Sequence, residues 1–328
     1  MHRFFALTAF FLALVLFSFS FSAYFFQRSK DNAAPTASSA AAKEAVFLLV
    51  GVDQASYSSD VMMLVKLGEG SLSFLQIPRD SLTASGNRLN ATFAAACNRV
   101  KNEGGSDKAA YAAGGRALAE KLSSALGIEV DAHATLTLAG LATLVDCIGG
   151  VDVSLDTPIV YENGEKTVTL SGDCHLDGEA AEGLVRCRRV YPDADYGRMR
   201  AQRKLIEAVF DKVRREFSPL ALISLFRRAY SEVETDLAFK DALPLITLLF
   251  KSSTTLSFAT LVGENYRYGK AEVEVLNENN LKKASEYLGG SFDPAACRAI
   301  FMPDREGALS LYESNSPPPF TVSRQEKE

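Results

Sequence analysis

Runs of apolar residues separated by turn-forming residues predict a β-sheet near the start of the folded region. Three such runs, at residues 46–52, 61–67 and 72–77, are short, rich in aliphatic side chains and typical of buried strands. The spacing of apolar positions then changes to the helical period at about 108–126 and again at 138–147. A glycine follows the first helix, where helices commonly end, and the strand VDVSL follows the second.

The second half of the chain predicts more helix than strand. A short helix is expected around residues 179–184, a short strand at 185–190, and a long helix from about 196 to 215. Because strands and helices are interspersed along one globular stretch, we predict an α/β fold with a central mixed β-sheet flanked by helices.

An apolar segment at the N-terminus predicts a membrane anchor. Residues 4–26 are 23 consecutive uncharged, mostly apolar residues, enough for one transmembrane helix, which we interpret as an uncleaved signal anchor. Small residues near its end leave cleavage open, and the flanking charges leave its orientation open. Residues 27–43 then predict a flexible tether, residues 44–303 one globular domain, and residues 304–328 a mobile C-terminal tail.

Composition and charge exclude several classes of protein. Of 328 residues, 47% are hydrophobic and 23% are charged, which is typical of a globular protein, and the formal net charge of -5 predicts no broad attraction to nucleic acid. The three histidines form no metalloprotease motif and the five cysteines form no CxxC pair, so a zinc enzyme is not indicated. The sequence has no Walker loop and no strand-linked GxGxxG, which argues against a nucleotide ligand.

Two acidic residues flank the turn expected between the first two strands. Asp53 ends the first strand and Asp60 begins the next, so neighbouring strand ends would bring the two carboxylates together. Proteins bind Mg²⁺ through one or two carboxylates together with water and phosphate oxygens. The pair is therefore a candidate Mg²⁺ site, with Mn²⁺ as an alternative ion, although aspartate is also common in ordinary turns.

Arginines follow two of the predicted elements. Arg79 lies in the sequence IPRDS after the third strand, where pairing with the adjacent Asp80 is the simpler interpretation. In the sequence VRCRR, a strand would place Arg186 and Arg188 on one face, and two neighbouring guanidinium groups favour an anion site. Exposed arginines in water give the same pattern without a ligand.

The long helix is expected to open with the sequence DYGRMRAQ. Asp195 is predicted as its N-cap, and Arg198 and Gln202 are then about one turn apart on one face. The N-terminus of a helix attracts anions through its free N–H groups and its dipole. Together with the carboxylates and arginines above, this motif predicts a diphosphate-binding pocket that uses Mg²⁺. A guanidinium group can donate two parallel hydrogen bonds to the oxygens of one phosphate.

The ordered motifs of the chain resemble those of a known family. The strings FLLVGVD, SDVMMLV, IPRDS, LVDCIGGVDV, LDGEAAEGLVRCR and DYGRMRAQ follow, in order and at similar intervals, the pattern of LytR-CpsA-Psr proteins from Glu44 to the late 280s. Those proteins are membrane-anchored enzymes with a short cytoplasmic N-terminus, which would be residues 1–3 here, and an extracellular catalytic domain. The resemblance implies a phosphotransferase that moves a glycopolymer, such as teichoic acid or a capsule-like polysaccharide, from a polyprenyl-diphosphate carrier to peptidoglycan and releases polyprenyl phosphate.

The resemblance also implies roles for individual residues. Asp53 and Asp60 match the Mg²⁺ ligands of the family, and Asp195 would act in catalysis together with Arg79 and Arg198. The positions that match the family's diphosphate contacts are Arg79, Arg186, Arg188, Arg198 and Gln202.

Some other positions depart from the family pattern. Gln76 stands where serine is common before IPRD, and Ala201 stands where arginine is common before the matched glutamine. Arg88 is only a loose match to a further basic position of the family. None of these positions is a matched diphosphate contact, so we expect differences in the acceptor or the polymer rather than in the chemistry.

Two alternatives stay open from the sequence. The chain could hold polyprenyl phosphates without turnover as a regulatory protein, or it could hydrolyse a lipid diphosphate with water as the nucleophile. Intact Asp53, Asp60 and Gln202 favour the transferase. Two apolar segments, at 220–226 and 242–250, would line a tunnel for the prenyl chain unless they are simply part of the core.

Overall fold

The structure is a computed structural model that describes most of the globular region. It covers residues 44–301 except 55, 69, 164–165, 219–220, 222–229, 238–253 and 269–270, together with residues 310–311 and 321–324. The predicted membrane anchor and tether lie outside the described residues, as do the apolar segment 242–250 and all but one residue of 220–226. Among the helices that the structure describes, none has the length and apolar character needed to cross a bilayer.

A mixed seven-stranded sheet forms the centre of the described fold. The described strands are β1 (Ala45–Asp53), β2 (Ser58–Gly68), β3 (Ser71–Gln76), β4 (Ala132–Thr137), β5 (Val151–Asn163), β6 (Lys166–Leu176), β7 (Val233–Thr235), β8 (Thr255–Thr260), β9 (Gly263–Tyr268), β10 (Ala271–Leu276), β11 (Ser310–Leu311) and β12 (Thr321–Arg324). They form this sheet, a three-stranded sheet of order β10-β9-β11 and the two-stranded sheet β5-β6. The central sheet has the order β12-β8-β3-β2-β1-β4-β7. In it β1 pairs in parallel with β4 and β3 with β8, while the other pairs are antiparallel. The predicted α/β fold with a mixed central sheet is confirmed.

Helices cover both faces of this sheet. The helices are α1 (Asn90–Asn102), α2 (Asp107–Leu126), α3 (Leu138–Cys147), α4 (Gly178–Arg186), α5 (Asp195–Glu216), α6 (Glu278–Leu288) and α7 (Pro294–Ile300). Along β1, Phe47 and Leu49 are buried in the core shared with α3, α4 and α5. Leu48 and Val50 alternate with them and are buried in the core shared with α1, α2 and α6. A strand covered on both faces has an unbroken apolar sequence, which is why β1 was predictable.

The strand predicted at 185–190 is wrong, because helix α4 continues through Arg186 and a turn follows. Asp177 caps this helix by accepting a hydrogen bond from the backbone N–H of Ala180 at 2.9 Å. The buried residues of the helix include Ala181, Leu184 and Val185, whose spacing is helical. Burial of this apolar face therefore outweighs the β-propensity of the short VRCRRV run.

The predicted C-terminal tail contributes strands to two sheets. Within residues 304–328, β12 pairs antiparallel with β8 and β11 pairs antiparallel with β9. Strand β8 would otherwise be the edge of the central sheet, with unpaired backbone groups along its length. The β12 segment covers that edge.

Candidate active site

A β-bulge in the β1–β2 hairpin releases Asp60 from the strand ladder. The register shifts after Gly51, which pairs with Val61, so that Asp60 is the extra residue of the bulge. Gly51 allows the close pairing, because a Cβ atom there would lie only 2.9 Å from the Cβ atom of Val61. The bulge thus makes the Asp60 carboxylate available at one edge of the sheet.

Arg79 follows β3 at the same edge and binds Asp60. Its Nη1 donates a hydrogen bond to Asp60 Oδ1, which also accepts the Ser58 hydroxyl at 3.2 Å. The Nε atom of Arg79 lies 3.7 Å from Asp80 Oδ2, and Asp80 Oδ1 lies 3.2 Å from Nη1 of Arg88. Because β3 runs antiparallel to β2, the end of β3 meets the start of β2.

The first turn of α5 supplies the other half of the site. Asp195 is the first residue of the helix and not its N-cap as predicted; the cap position is Ala194, with φ 43° and no side-chain hydrogen bond. The Asp195 carboxylate instead binds Arg198 of the same turn, whose Nη2 lies 2.9 Å from Oδ2 and 2.8 Å from Oδ1. The same Nη2 donates a hydrogen bond to the backbone oxygen of Asp60 at 3.1 Å, which ties α5 to the bulge.

Arg186 and Arg188 lie at the C-terminal end of α4 and just beyond it. The helix end replaces the strand face on which the sequence had placed them together. Arg186 Nη1 donates to Glu182 Oε1 at 2.9 Å on the helix surface. Arg188 Nη1 lies 3.6 Å from Asp195 Oδ1. Arg188 therefore joins the site through Asp195, whereas Arg186 is paired outside it.

Two buried glutamines hold α5 in place. Gln202 is one turn beyond Arg198, as predicted, and its Nε2 donates to the backbone oxygen of Val185 at 3.3 Å. Gln76 at the end of β3 donates from Nε2 to the backbone oxygen of Met199 at 2.8 Å. These amides link α5 to the end of α4 and to the central sheet, so Gln76, which departs from the family pattern, has a packing role here.

Contacts link seven charged side chains into one group, the arginine–carboxylate cluster, which consists of Arg79, Arg88, Arg188, Arg198, Asp60, Asp80 and Asp195. Four guanidinium groups face three carboxylates, so the fully ionised cluster carries a net positive charge. Burial lowers the pKa of Arg198, which Asp195 opposes. Burial also opposes the charge of Arg79, but its neighbouring carboxylates raise the pKa of Arg79 overall. Burial raises the pKa of Asp80 despite the adjacent arginines.

Several buried atoms of the cluster have no hydrogen-bond partner among the described residues. They include the Nε atoms of Arg79 and Arg198, whereas the Oδ1 atoms of Asp80 and Asp195, which also lack a hydrogen bond, are ion-paired with Arg88 at 3.2 Å and with Arg198 at 2.8 Å. Buried polar atoms in proteins are normally satisfied, so the two guanidinium N–H groups favour an additional acceptor at this place. Guanidinium N–H groups suit phosphate oxygens, and carboxylate oxygens suit a hydroxyl donor.

An apolar cavity of about 60 Å³ adjoins the cluster. Its lining includes Val61, the residue after Asp60, and the buried Gln202 on α5. The remaining lining is almost entirely apolar and comes from the sheet and from α3, α4 and α5, with Leu49, Met63, Leu136, Leu141, Val185, Leu205 and Ile206 among its residues. Val61 follows Asp60 on β2, and Gln202 lies one helical turn beyond Arg198, so the cavity is next to the cluster along both elements. Such an arrangement suits a ligand with a polar head and an apolar chain.

The predicted Mg²⁺ ligands lie at the end of the β1–β2 hairpin. Asp53 is opposite Ser58 in the register, two residues before Asp60. Two carboxylates are a donor set that fits Mg²⁺ when phosphate and water complete the coordination. Among the residues that the structure describes, no three or more His, Cys, Asp or Glu side chains form a ready-made metal site. The acidic pair supplies only part of a Mg²⁺ coordination set, which phosphate and water oxygens would have to complete.

Most residues of the arginine–carboxylate cluster were predicted from the sequence, but Asp80 and Arg88 make more contacts than predicted. Asp80 is more than a local partner of Arg79, because it also binds Arg88 across the following loop. Arg88 donates in addition to the backbone oxygen of Glu272 at 2.6 Å. The loose match of Arg88 to a further basic position of the resembled family was the available signal.

Comparison with known proteins gives the class of this chain. The LytR_cpsA_psr family model matches residues 18–288. The chain belongs to the LytR_cpsA_psr family, as its motifs indicated.

Individual relatives match the chain over part of its length. The polyisoprenyl-teichoic acid–peptidoglycan teichoic acid transferase TagU of Enterococcus faecalis is 31% identical over 167 residues, which are 50% of this chain and 53% of TagU. Biofilm regulatory protein A of Streptococcus mutans is 30% identical over 270 residues, which are 74% of this chain and 62% of that protein. The chain thus spans less than two thirds of the length of these curated relatives. The crystal structure of B. subtilis TagV shares the fold, with a TM-score of 0.61 at 20% identity over 77% of this chain and 99% of TagV.

Proposed function

We propose that this protein transfers a glycopolymer from a polyprenyl-diphosphate carrier to peptidoglycan and releases polyprenyl phosphate. The observation that carries the proposal is the position of the arginine–carboxylate cluster beside an apolar cavity, with Gln202 on the boundary. A lipid diphosphate has the matching division between an anionic head and an apolar chain. The name of the related TagU, a teichoic acid transferase, supports the same substrate class.

In this proposal the arginines hold the diphosphate. The unsatisfied Nε atoms of Arg79 and Arg198 supply donors from the buried side of the cluster. Arg186 and Arg188 supply longer and more exposed side chains from the end of α4, once Arg186 leaves Glu182. Asp53 and Asp60 would hold Mg²⁺, or Mn²⁺, which when bound neutralises charge on the phosphate oxygens.

The reaction is a phosphoryl transfer driven by positioning and charge neutralisation. A peptidoglycan sugar hydroxyl forms a bond to the phosphorus that bears the glycan, and the bond from that phosphorus to the bridging oxygen breaks. The bridging oxygen leaves on polyprenyl phosphate. The carboxylate of Asp195, whose Oδ1 atom lies 2.8 Å from Arg198 and accepts no hydrogen bond, is our candidate acceptor for the hydroxyl proton. The arginines then stabilise the charge on the leaving phosphate.

The proposal also includes the location of the protein. Residues 4–26 would anchor it in the cell membrane by a single span, with the catalytic domain outside, where peptidoglycan lies. External protease added to intact protoplasts should therefore digest the domain while a cytoplasmic marker survives. Complete protection of the domain under those conditions would place it on the wrong side for this chemistry.

A transfer assay separates the proposed function from its alternatives. The full chain in detergent is incubated with a labelled polyprenyl-diphosphate-linked glycan, Mg²⁺ and peptidoglycan. We expect label on peptidoglycan and release of polyprenyl phosphate, both lost in Arg198→Met and retained in Arg200→Met, whose side chain is 61% exposed on the same helix. Glycan released to water would indicate a pyrophosphatase. Binding without turnover would indicate a regulatory protein, which the name of the S. mutans relative describes.

A further inference from the structure

A buried glutamate lies outside the arginine–carboxylate cluster but contacts both of its halves. Glu274 is on β10 and is only 5% exposed. The alternation in AEVEVL gives no signal for this burial, since Glu272 on the same strand face is exposed. Burying a carboxyl group is costly unless it is hydrogen-bonded, so its contacts indicate its role.

The backbone of Glu274 holds the loop that carries Arg79. Its N–H donates to the backbone oxygen of Asp80 at 3.0 Å, and its backbone oxygen accepts from the N–H of Leu82 at 2.7 Å. These two bonds flank Ser81, which forms an isolated parallel bridge with Glu274. The residues directly after Arg79 are therefore bound to β10 as if they were a short additional strand.

The side chain of Glu274 holds the first turn of α5. Its Oε1 accepts hydrogen bonds from the Tyr196 hydroxyl and, at 2.8 Å, from the backbone N–H of Gly263. Gly263 leaves no room for a side chain, because a Cβ atom there would lie 2.4 Å from the backbone oxygen of Val275 and 3.0 Å from Cγ of Glu274. Tyr196 is adjacent in sequence to Asp195, so the hydroxyl contact ties down the turn that carries Asp195 and Arg198.

The backbone at the start of α5 needs such an anchor. Ala194 has φ 43° and ψ -98°, a conformation that non-glycine residues rarely adopt. Strained conformations persist where surrounding contacts over-determine them. The buried contact between Tyr196 and Glu274, two residues further on, is a contact of this kind.

We propose that Glu274 is a positioning residue that sets the separation of the Arg79 and Arg198 guanidinium groups for diphosphate binding. Its backbone holds one arginine's loop and its side chain holds the other arginine's helix turn. The inference rests on the proposed function, because it assigns the two guanidinium groups to one diphosphate. Glu274 bonds to Tyr196, to Gly263 and to the loop that follows Arg79, so it would act on a ligand through these residues.

The test measures diphosphate affinity in variants that change this link by single groups. Inorganic diphosphate with Mg²⁺ and farnesyl diphosphate with Mg²⁺ are titrated into the full chain in detergent. Tyr196→Phe removes only the hydroxyl group and keeps the ring, so it tests the link even if Glu274→Leu fails to fold. We expect roughly tenfold weaker binding in Tyr196→Phe and a larger loss in Glu274→Leu.

A conservative variant separates positioning from general stability. Glu274→Gln keeps an Oε1 acceptor for Tyr196 and Gly263, so we expect affinity within about threefold of the wild type, whatever the shift in melting temperature. Glu272→Leu is the matched control, because it replaces an exposed glutamate two residues away. This variant should bind both diphosphates as the wild type does.

The outcomes distinguish the inference from the function on which it rests. If the wild type binds neither probe, the proposed function is wrong and the role of Glu274 is wrong with it. If the wild type binds and Tyr196→Phe binds equally well, only the positioning role is wrong. If Glu274→Gln loses as much affinity as Glu274→Leu at temperatures where both are folded, the carboxyl charge matters and positioning through Oε1 is contradicted.

Discussion

The candidate site has two pairs of arginines that are held in opposite ways. The side chains of Arg79 and Arg198 are 15% and 4% exposed and are bound by Asp60 and Asp195. Those of Arg186 and Arg188 are 56% and 43% exposed. Arg186 has only a surface ion pair one helical turn away, and Arg188 has one contact at 3.6 Å.

This difference separates a preorganised half of the site from an adaptable half. A buried guanidinium needs its carboxylates even without ligand, because an unpaired buried charge is strongly destabilising. An exposed guanidinium keeps its hydration and loses little when its partner changes. Under the proposed function, the buried pair would define where the diphosphate sits, and the exposed pair would close over it.

The largest expected effect is the loss of Arg198. Arg198→Met leaves the carboxylate of Asp195 without its closest partner in a partly buried place, so we expect the free energy of unfolding to fall by about 3 kcal/mol. Urea denaturation measures this change. The matched control is Arg200→Met, which removes an exposed ion pair on the same helix and should change stability by about 0–1 kcal/mol. Equal effects of the two variants would contradict the distinction between buried and exposed arginines.

The burial of Glu274, which contacts the loop of Arg79 and the helix turn of Arg198, predicts a pH dependence of stability. Burial raises the pKa of Glu274 to about 8, an effect that the hydrogen bond from Tyr196 opposes and that the charges of Asp195 and Asp80 reinforce. The folded state therefore binds a proton that the unfolded state releases near pH 4.5, and stability falls as pH rises from there to about 8. The slope is at most about 1.4 kcal/mol per pH unit for one proton. Glu274→Gln should flatten the pH dependence of the free energy of unfolding over this range. If the variant and the wild type show the same pH dependence, the raised pKa of Glu274 is contradicted.

The exposed pair should affect binding without affecting stability. Arg186→Ala and Arg188→Ala each remove one guanidinium group. A hydrogen bond to a charged group contributes about 1.5–3 kcal/mol, so we expect each variant to bind a lipid diphosphate about ten- to a hundredfold more weakly. Melting temperatures should stay near that of the wild type. Arg189→Ala is the matched control from the same turn and should have much less effect in the same titrations. Equal losses at Arg188 and Arg189 would show that the end of α4 does not select these side chains.

The smallest effect is expected from the partner of Arg186. Glu182→Gln removes an i,i+4 ion pair, so stability should change by less than about 0.5 kcal/mol. Because Arg186 no longer has to leave a carboxylate, affinity for a lipid diphosphate should rise slightly, by up to about threefold. Weaker binding in this variant would mean that Glu182 positions Arg186 for the ligand instead of competing with it.

The layers of the fold are predictable from the sequence because burial on both sheet faces leaves continuous apolar runs. Helix α2 is predictable as well, since it ends at Gly127 with φ 60°, a conformation in which glycine is strongly preferred. Helix α1 is harder to predict, because its buried positions Phe93, Ala96 and Cys97 form only a weak apolar stripe. The short segment at 185–190 was misassigned because six residues carry too little periodicity to distinguish a strand from a helix end.

The site is predictable in composition but only partly in geometry. The apolar runs predict that Asp53 and Asp60 flank one turn and that Arg79 follows the third strand. The contact of Arg79 with Asp60 depends on the pairing of β2 with β3. The bulge at Gly51 depends on the register between β1 and β2, and the ion pair of Asp195 with Arg198 depends on polar side chains within one helical turn, so hydrophobic periodicity encodes neither. Glu274 is the extreme case, because its burial depends on Tyr196 from another part of the chain.

The most direct test of the central claim is a comparison of affinities for farnesyl diphosphate and inorganic diphosphate, each with Mg²⁺, in the wild type and in Arg198→Met. If the cluster binds the head group and the cavity lined by Leu205 and Ile206 binds the chain, the wild type should prefer the lipid at least tenfold, since two buried methylene groups contribute about 1.6 kcal/mol. Arg198→Met should lose affinity for both ligands and keep the preference. Equal affinity of the wild type for the two ligands, or no loss in Arg198→Met, would contradict the claim that one lipid diphosphate spans the cluster and the cavity.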